Sequence, residues 1–205
     1  MPNSEGERIG AVVLAAGRSR RLGPAKLLLP FGDSTVIGCV VEALAGPGLD
    51  PIVVVAGEHH DSLTEVLRDT RAQVVSNPDP DRGMLSSVRI GVGALPPNLD
   101  RFLISLGDLP RLRAAHVSHL LREQRRAGKG IAIATHAGKR GHPVVFDAGY
   151  REAVLALDDG LTLRDLIHSH AEDVVAVECD SDAVISDIDT REDYERELRA
   201  ALAEQ

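Results

Sequence analysis

Two kinds of apolar block alternate along the chain. Continuous runs such as 12–16 (Val-Val-Leu-Ala-Ala) and 51–57 (Pro-Ile-Val-Val-Val-Ala-Gly) are the pattern of strands covered on both faces, and 101–106 reads as a further buried strand. Segments with helical spacing stand between them. One starts at Ser34-Thr35 and runs to about Leu44 before Gly46-Pro47-Gly48, and a second, capped by Asp61 or Ser62, reaches about Arg68. A third runs from Met84 to Leu95 and closes at Pro96-Pro97; a fourth, from about Ala114 to Ala127, stops at Gly128. Further strands are expected over 72–75, 131–135, 143–146, 174–178 and 183–188, and further helices over 150–157 and 161–169 and from Thr190 onward. This alternation predicts a three-layer α/β/α sandwich with a mostly parallel sheet. Residues 1–8 read as a flexible tail and 9–205 as one domain without internal repeats or a linker.

Composition narrows the picture. The 205 residues suit one domain with a substantial core, and with aromatics at only 2% that core must be built from Val, Leu, Ile and Ala. A net charge of −8 and so few rings argue against nucleic acid as a partner. No run approaches the roughly 18 apolar residues that cross a membrane, and the first residues lack the pattern of a secretory leader. Cys39 and Cys179 stand in unrelated contexts, as reduced thiols in a cytoplasmic protein do.

Against this acidic background, Arg18, Arg20, Arg21 and Lys26 fall within nine residues after the first strand. Gly17 and Gly23 let the backbone approach a ligand there, and N–H groups with guanidinium forks suit a polyphosphate. The spacing is not that of a Walker loop, and Ser19 stands where the dinucleotide fingerprint needs its second glycine.

Four other segments carry candidate chemistry. Asp108, in Gly107-Asp108-Leu109-Pro110, sits at the carboxyl end of a buried strand, where ligands of open α/β sheets bind. A single aspartate there can hold Mg²⁺ while nucleotide phosphates supply further oxygens; its plainer role is to cap a turn. In Asp187-Ile188-Asp189-Thr190-Arg191-Glu192-Asp193, Thr190 and Asp193 form a helix start, which accounts for Glu192 and Asp193 better than for Asp187 and Asp189. Alternation in a strand points Asp187 and Asp189 the same way and leaves the choice between them open. In the segment from Asn77 to Val88, Ser86 and Ser87 sit near a helix start, either as ligand donors or as plain capping residues. His142, before Pro143, stands between two strands. His59-His60 and His168-x-His170 lack partners at zinc spacing and read as surface residues.

Leu14-Ala15-Ala16-Gly17-x-Ser19-x-Arg21-Leu22-Gly23-x-x-Lys26 resembles the signature loop of the MobA/MocA-like nucleotidyltransferases. The double alanine is closer to the molybdenum cofactor cytidylyltransferase branch than to the guanylyltransferases. The resemblance runs from Ala11 to about Leu198. It takes in Gly107-Asp108-Leu109-Pro110, Asp187-x-Asp189-Thr190 with Arg191 where proline is usual, and the Asn77–Gly83–Met84–Ser87 segment with Val88 for leucine.

The resemblance implies a Rossmann-like fold of the nucleotide-diphospho-sugar transferase kind. Leu14, Ala15, Ala16, Gly17, Arg18, Ser19 and Gly23 would then wrap a triphosphate, with Arg21 and Lys26 on its phosphates. Asn77, Gly83, Ser86 and Ser87 would lie against base and ribose, and Asp108 and Asp189 would hold Mg²⁺. His142 falls on the acceptor side, as a binding residue and not a base. Asp158-Asp159-Gly160-x-x-x-Arg164 matches the family's acceptor motif only loosely.

The implied reaction moves CMP from CTP to the phosphate of molybdopterin and releases pyrophosphate, and a molybdenum hydroxylase is a possible recipient of the product. Three alternatives stay open: GTP or another nucleotide with a different phosphorylated acceptor, a non-catalytic carrier of the cofactor, and a redox use of the same fold. The missing dinucleotide fingerprint speaks against the last.

Overall fold

The computed structural model describes residues 6–17 and 26–204. β1 (Ile9–Ala15) leads, past a short turn at Lys26–Leu28, to a small hairpin of β2 (Pro30–Phe31) and β3 (Ser34–Thr35). Then come α1 (Val36–Ala45), β4 (Ile52–Ala56), α2 (His60–Leu67), β5 (Ala72–Ser76), α3 (Met84–Ala94) and β6 (Arg101–Leu106). The chain continues through α4 (Ala114–Ala127), β7 (Ile131–His136), β8 (Lys139–Asp147), α5 (Arg151–Leu155), α6 (Leu163–Ser169), β9 (Val174–Glu178) and α7 (Arg191–Ala203).

Seven strands form one sheet in the order β5-β4-β1-β6-β8-β7-β9, and β8 alone runs antiparallel to its neighbours. Alternate residues of each central strand feed opposite layers. Ala11 and Val13 of β1 pack with α1, α4 and α2, while Val12 packs with α3, α5 and α6. Both faces are therefore buried, which is why β1 and β4 read as unbroken apolar runs. The sparse aromatics are concentrated: Phe102 of β6 and Phe146 of β8 are register partners whose rings stack at 5.3 Å.

Helix α3 lies unusually close to the sheet. A Cβ on Gly91 would stand 2.3 Å from a methyl of Val12 and 2.9 Å from one of Val55, so only glycine fits this approach. The same approach sets the first turn of α3 over the carboxyl ends of β1 and β4. β1 leads outward to β4 and β5, and β6 starts the other half of the sheet. The gap between β1 and β6 is thus the point where strand order reverses, and a ligand crevice forms there in such sheets.

Several expectations need correction. Residues 183–188 are not a strand: Asp182–Val184 is a single helical turn, and an irregular stretch follows. β9 already closes that edge, and Ala183, Val184 and Ile188 are buried by covering strand ends instead of pairing. β8 begins at Lys139, not at Pro143, so His142 lies inside a strand. α2 starts at His60 without a side-chain cap, α5 ends at Leu155, and α6 starts at Leu163 behind Thr162. At the inner end of the expected tail, Glu7 pairs with the buried Arg101, and the Arg8 N–H donates to Asp100. Cys39 and Cys179 are free thiols, and among the described residues no helix is long and apolar enough to cross a membrane.

Candidate active site

At the β1–β6 crevice the structure forms a cleft of about 540 Å³. Nine of the residues singled out in the sequence line it: Leu14, Ala15, Ala16, Gly17, Lys26, Gly83, Ser87, Asp108 and Asp189. Arg18, Ser19, Arg21 and Gly23 lie outside the described residues. Sequence reasoning did not single out Leu27, Pro80 and Leu106, which also line it; it named Met84 within a motif without giving it a role, and had left Asp187 as the alternative to Asp189. Met84 had a signal: it is a large apolar residue at a helix start, and it is left 60% exposed.

Three chain segments meet in this cleft. The strand β6 ends at Leu106, and the Gly107 N–H donates to Leu14 O, which fixes where Asp108 emerges. Ile188, fully buried, donates its own N–H to Asp108 O at 3.2 Å. That anchor sets Asp187 and Asp189 on either side of a core residue, close to Asp108. Gly141 of β8 lets the preceding turn come in, since a Cβ there would stand 2.0 Å from Val184 O. Downstream, Thr190 caps α7 in a reciprocal pair with Asp193, as its sequence signature predicts. Arg196 and these capping bonds hold the Asp193 carboxyl well below the usual carboxylate range.

Asp108, Asp187 and Asp189 each bring one oxygen to within 4.8 Å of the others. Asp187 and Asp189 both therefore stand within reach of an ion held at Asp108. Asp108 Oδ1 is buried and accepts no hydrogen bond. An all-carboxylate donor set with an unsatisfied buried oxygen fits a hard divalent cation such as Mg²⁺ or Mn²⁺. Burial, with the charges of Asp108 and Asp189, pushes the Asp187 carboxyl above its ordinary value.

The Lys26 ammonium donates to Asp108 Oδ2 at 2.6 Å, to Ile188 O at 2.6 Å and to Asp189 Oδ1 at 3.2 Å. Burial works against this charge, but Asp108 and Asp189 together outweigh it and hold the pKa above the usual lysine value. The site is thus a carboxylate cluster with its own resident cation.

The remaining candidates stand further back. Asn77 is buried and does not line the cleft; its amide donates to Ser86 Oγ and Ser87 Oγ, both at 2.9 Å, and its carbonyl oxygen accepts from the Asp79 N–H. It organises the loop that presents Ser87. Ser86 spends its hydroxyl on Gly83 O at 2.8 Å instead of capping the helix. His142 is half-buried outside the cleft lining, with Nδ1 3.5 Å from Ile104 O, and burial holds its imidazole below the ordinary value. Asp159, of the loosely matched motif, is taken up by Arg82 and Arg89.

A strand-order crevice that holds clustered carboxylates and a lysine beside a glycine turn belongs to nucleotide-handling α/β proteins. The sequence matches the family described as the MobA-like NTP transferase domain over residues 11–174, and the chain belongs to that family. It is 30% identical over 199 residues to nicotine blue oxidoreductase of Paenarthrobacter nicotinovorans, covering 93% of this chain and 96% of that one. It is 25% identical over 187 residues to molybdenum cofactor cytidylyltransferase of Escherichia coli, covering 91% and 93%.

Two solved structures share the fold. A nucleotidyl transferase from Methanothermobacter superposes with a TM-score of 0.82 at 27% identity, covering 98% of this chain and 100% of that one. Rv0371c of Mycobacterium tuberculosis, in a complex with manganese, gives 0.73 at 28%, covering 94% and 98%. The fold is that of the nucleotide-sugar transferase class, a mostly parallel seven-stranded sheet with helices on both faces.

Proposed function

We propose that the protein is a Mg²⁺-dependent cytidylyltransferase that moves CMP from CTP to the terminal phosphate of molybdopterin and releases pyrophosphate. The observation that carries this reading is the meeting of Asp108, Asp187 and Asp189 around Lys26 at the end of the Leu14–Gly17 turn. Membership of the MobA-like family and likeness to a molybdenum cofactor cytidylyltransferase support it. Residues 9–205 act as one domain in the cytoplasm in this reading, and a molybdenum hydroxylase is the candidate recipient of the product.

The reaction needs no nucleophilic side chain. An acceptor phosphate oxygen, already ionised at neutral pH, attacks the α-phosphorus in line; the bond to the bridging oxygen breaks, and its electron pair leaves with pyrophosphate. Positioning and charge neutralisation supply most of the rate in such transfers. Gly17 and the turn around it, with Arg18, Ser19 and Gly23, cradle the triphosphate. Lys26 and Arg21 offset charge on the leaving oxygens, and Ser87, backed by Asn77 and Ser86, faces the nucleoside with Gly83. Asp108 with Asp187 and Asp189 would hold the Mg²⁺, which when bound supplies Lewis-acid stabilisation of phosphate charge. His142 contributes to the acceptor side as a neutral hydrogen-bonding group.

Pyrophosphate release from CTP, GTP and ATP, each with a molybdopterin acceptor, tests the reading. CTP should support turnover, and Asp108→Ala should lower it by at least about a hundredfold, on the scale of removing one preorganised electrostatic group. Turnover with GTP alone would move the assignment to a guanylyltransferase. Cofactor binding without pyrophosphate release by any nucleotide would make the protein a carrier. The likeness to a nicotine blue oxidoreductase supports a second reading, redox use of the fold. Reduced nicotinamide dinucleotide binding measured by fluorescence separates the two, and the transferase reading expects none.

A further inference from the structure

The position of Lys26 has a consequence for how metal and nucleotide enter. Its ammonium has three N–H donors, and all three are used: on Asp108 Oδ2, on Ile188 O and on Asp189 Oδ1. Two of those acceptors belong to the set of three carboxylates that suits a divalent cation. The third is a backbone carbonyl fixed between Asp187 and Asp189, on a residue that is itself tied to Asp108. The lysine side chain is 11% exposed, so solvent replaces little of what these acceptors give it.

We infer that Lys26 is an internal counter-ion that withholds Asp108 and Asp189 from a divalent cation until a nucleoside triphosphate takes over the ammonium. The inference rests on the nucleotidyltransferase reading and adds an order to it. With the lysine in place, a dication must either share carboxylates with a like charge held against them or displace it. Displacing it without a new partner strands a buried ammonium, which is costly. A triphosphate changes the balance, because its oxygens accept the same three hydrogen bonds, and lysine's flexible four-carbon stem lets the charge swing between partners. The two ligands then help each other bind, and the coupling is reciprocal: each raises the affinity of the other by the same factor.

Mn²⁺ binding to the full chain, read from the loss of the free-ion EPR signal, tests this without any turnover. Bare wild-type protein should bind Mn²⁺ weakly, and an α,β-methylene nucleoside triphosphate should tighten binding by about tenfold or more after allowance for Mn²⁺ held by free nucleotide. Lys26→Met, titrated with Mn²⁺ alone, should bind about tenfold or more tighter than wild type, and added analogue should tighten it far less. Lys26→Gln, which keeps a donor but removes the charge, should follow Lys26→Met. Both variants should also lose turnover, so metal affinity and activity move in opposite directions, whereas a merely structural lysine would lower both.

Equal or weaker Mn²⁺ binding in both variants overturns the counter-ion role and leaves the transferase reading intact. Should neither variant fold, the wild type decides alone: equal Mn²⁺ affinity with and without the analogue overturns the inference. Absence of Mn²⁺ uptake by every protein, analogue present or not, overturns both the inference and the metal site beneath it.

Discussion

Replacing Arg111 by methionine should be among the most destabilising single changes available outside the hydrophobic core. Arg111 lies three residues after Asp108 with its side chain only 4% exposed, and its Nε donates to Glu197 Oε2 of α7 at 2.7 Å. Its other nitrogens reach Asp182 at 2.6 Å and Glu204 at 2.7 Å. Asp182 and Glu204 are 53% and 30% exposed and regain water when the arginine goes. Glu197 is 1% exposed and does not.

Breaking a buried pair by removing one partner costs about 3–5 kcal/mol, because a charge is left without compensation. Here Arg196 Nε still donates to Glu197 Oε1 at 3.0 Å, which places the expected loss near the lower end, about 3 kcal/mol. For a chain of this size that is a fall in Tm of roughly 6–12 °C. Glu197→Gln should cost less, about 1–2 kcal/mol, since Arg111 keeps two carboxylate partners and loses only a charge-assisted bond. In the double variant Arg111→Met/Glu197→Leu no buried charge remains, and it should recover most of the loss of Arg111→Met alone. Urea unfolding of wild type, Arg111→Met, Glu197→Leu and the double variant, followed by circular dichroism, gives the cycle, with Glu197→Gln measured beside it. Additive losses in the double variant, or a loss under about 1 kcal/mol for Arg111→Met, would refute the reasoning.

Two further outcomes follow from the same geometry. Gly91→Ala drives a methyl against Val12 and Val55, both fully buried; overpacking of about 1–3 kcal/mol outweighs a helix-propensity gain of about 1 kcal/mol, and a rise in Tm would contradict it. The depressed Asp193 carboxyl contributes stability that is fully present above the unfolded value, about 3.9, and is lost as pH falls toward its folded value. In Asp193→Asn the decline of Tm between about pH 4 and pH 2 should be shallower than in wild type; identical slopes would show that the carboxyl gives nothing to the α7 cap.

The sequence was most legible where burial is two-sided. β1 and β4 are unbroken apolar runs because helices cover both faces of each. Local chemistry was equally plain at Thr190, whose partner three residues on is an acid, and at Gly128, which takes the left-handed conformation past α4. Residues 183–188 misled because buried apolar side chains there serve to close the ends of other strands, and periodicity cannot tell closure from pairing. The Arg111–Glu197 pair had a readable sign. Glu197 shares the face of α7 that carries Tyr194, Leu198 and Ala201 toward the core, and a carboxylate on an apolar stripe demands a buried cation. Nothing in the spacing says which arginine supplies it, since that depends on the turn after Asp108.

That turn also explains how the molecule tolerates its own site. Two carboxylates 4.8 Å apart repel by roughly 3 kcal/mol at an effective dielectric of about 20, and three of them within that distance oppose folding. Solvent relieves Asp187 and Asp189, which are both exposed, and Lys26 neutralises one charge, but the three carboxylates still sit close together. The opposing force has to come from elsewhere, and it comes from both ends of the acidic segment. On one side Ile188 is buried and bonded to Asp108, and on the other Thr190 starts a helix whose Glu197 is locked to Arg111, on the same turn as Asp108. The buried ion pair therefore ties the two acidic segments together through a second, remote connection. Its loss should loosen the cluster before it unfolds the chain, and Arg111→Met at a temperature where it stays folded should lose Mn²⁺ affinity while Gly91→Ala, whose smaller destabilisation falls on α3 and not on the acidic segments, should not. Equal metal affinity in the two variants would limit the pair to a stabilising role.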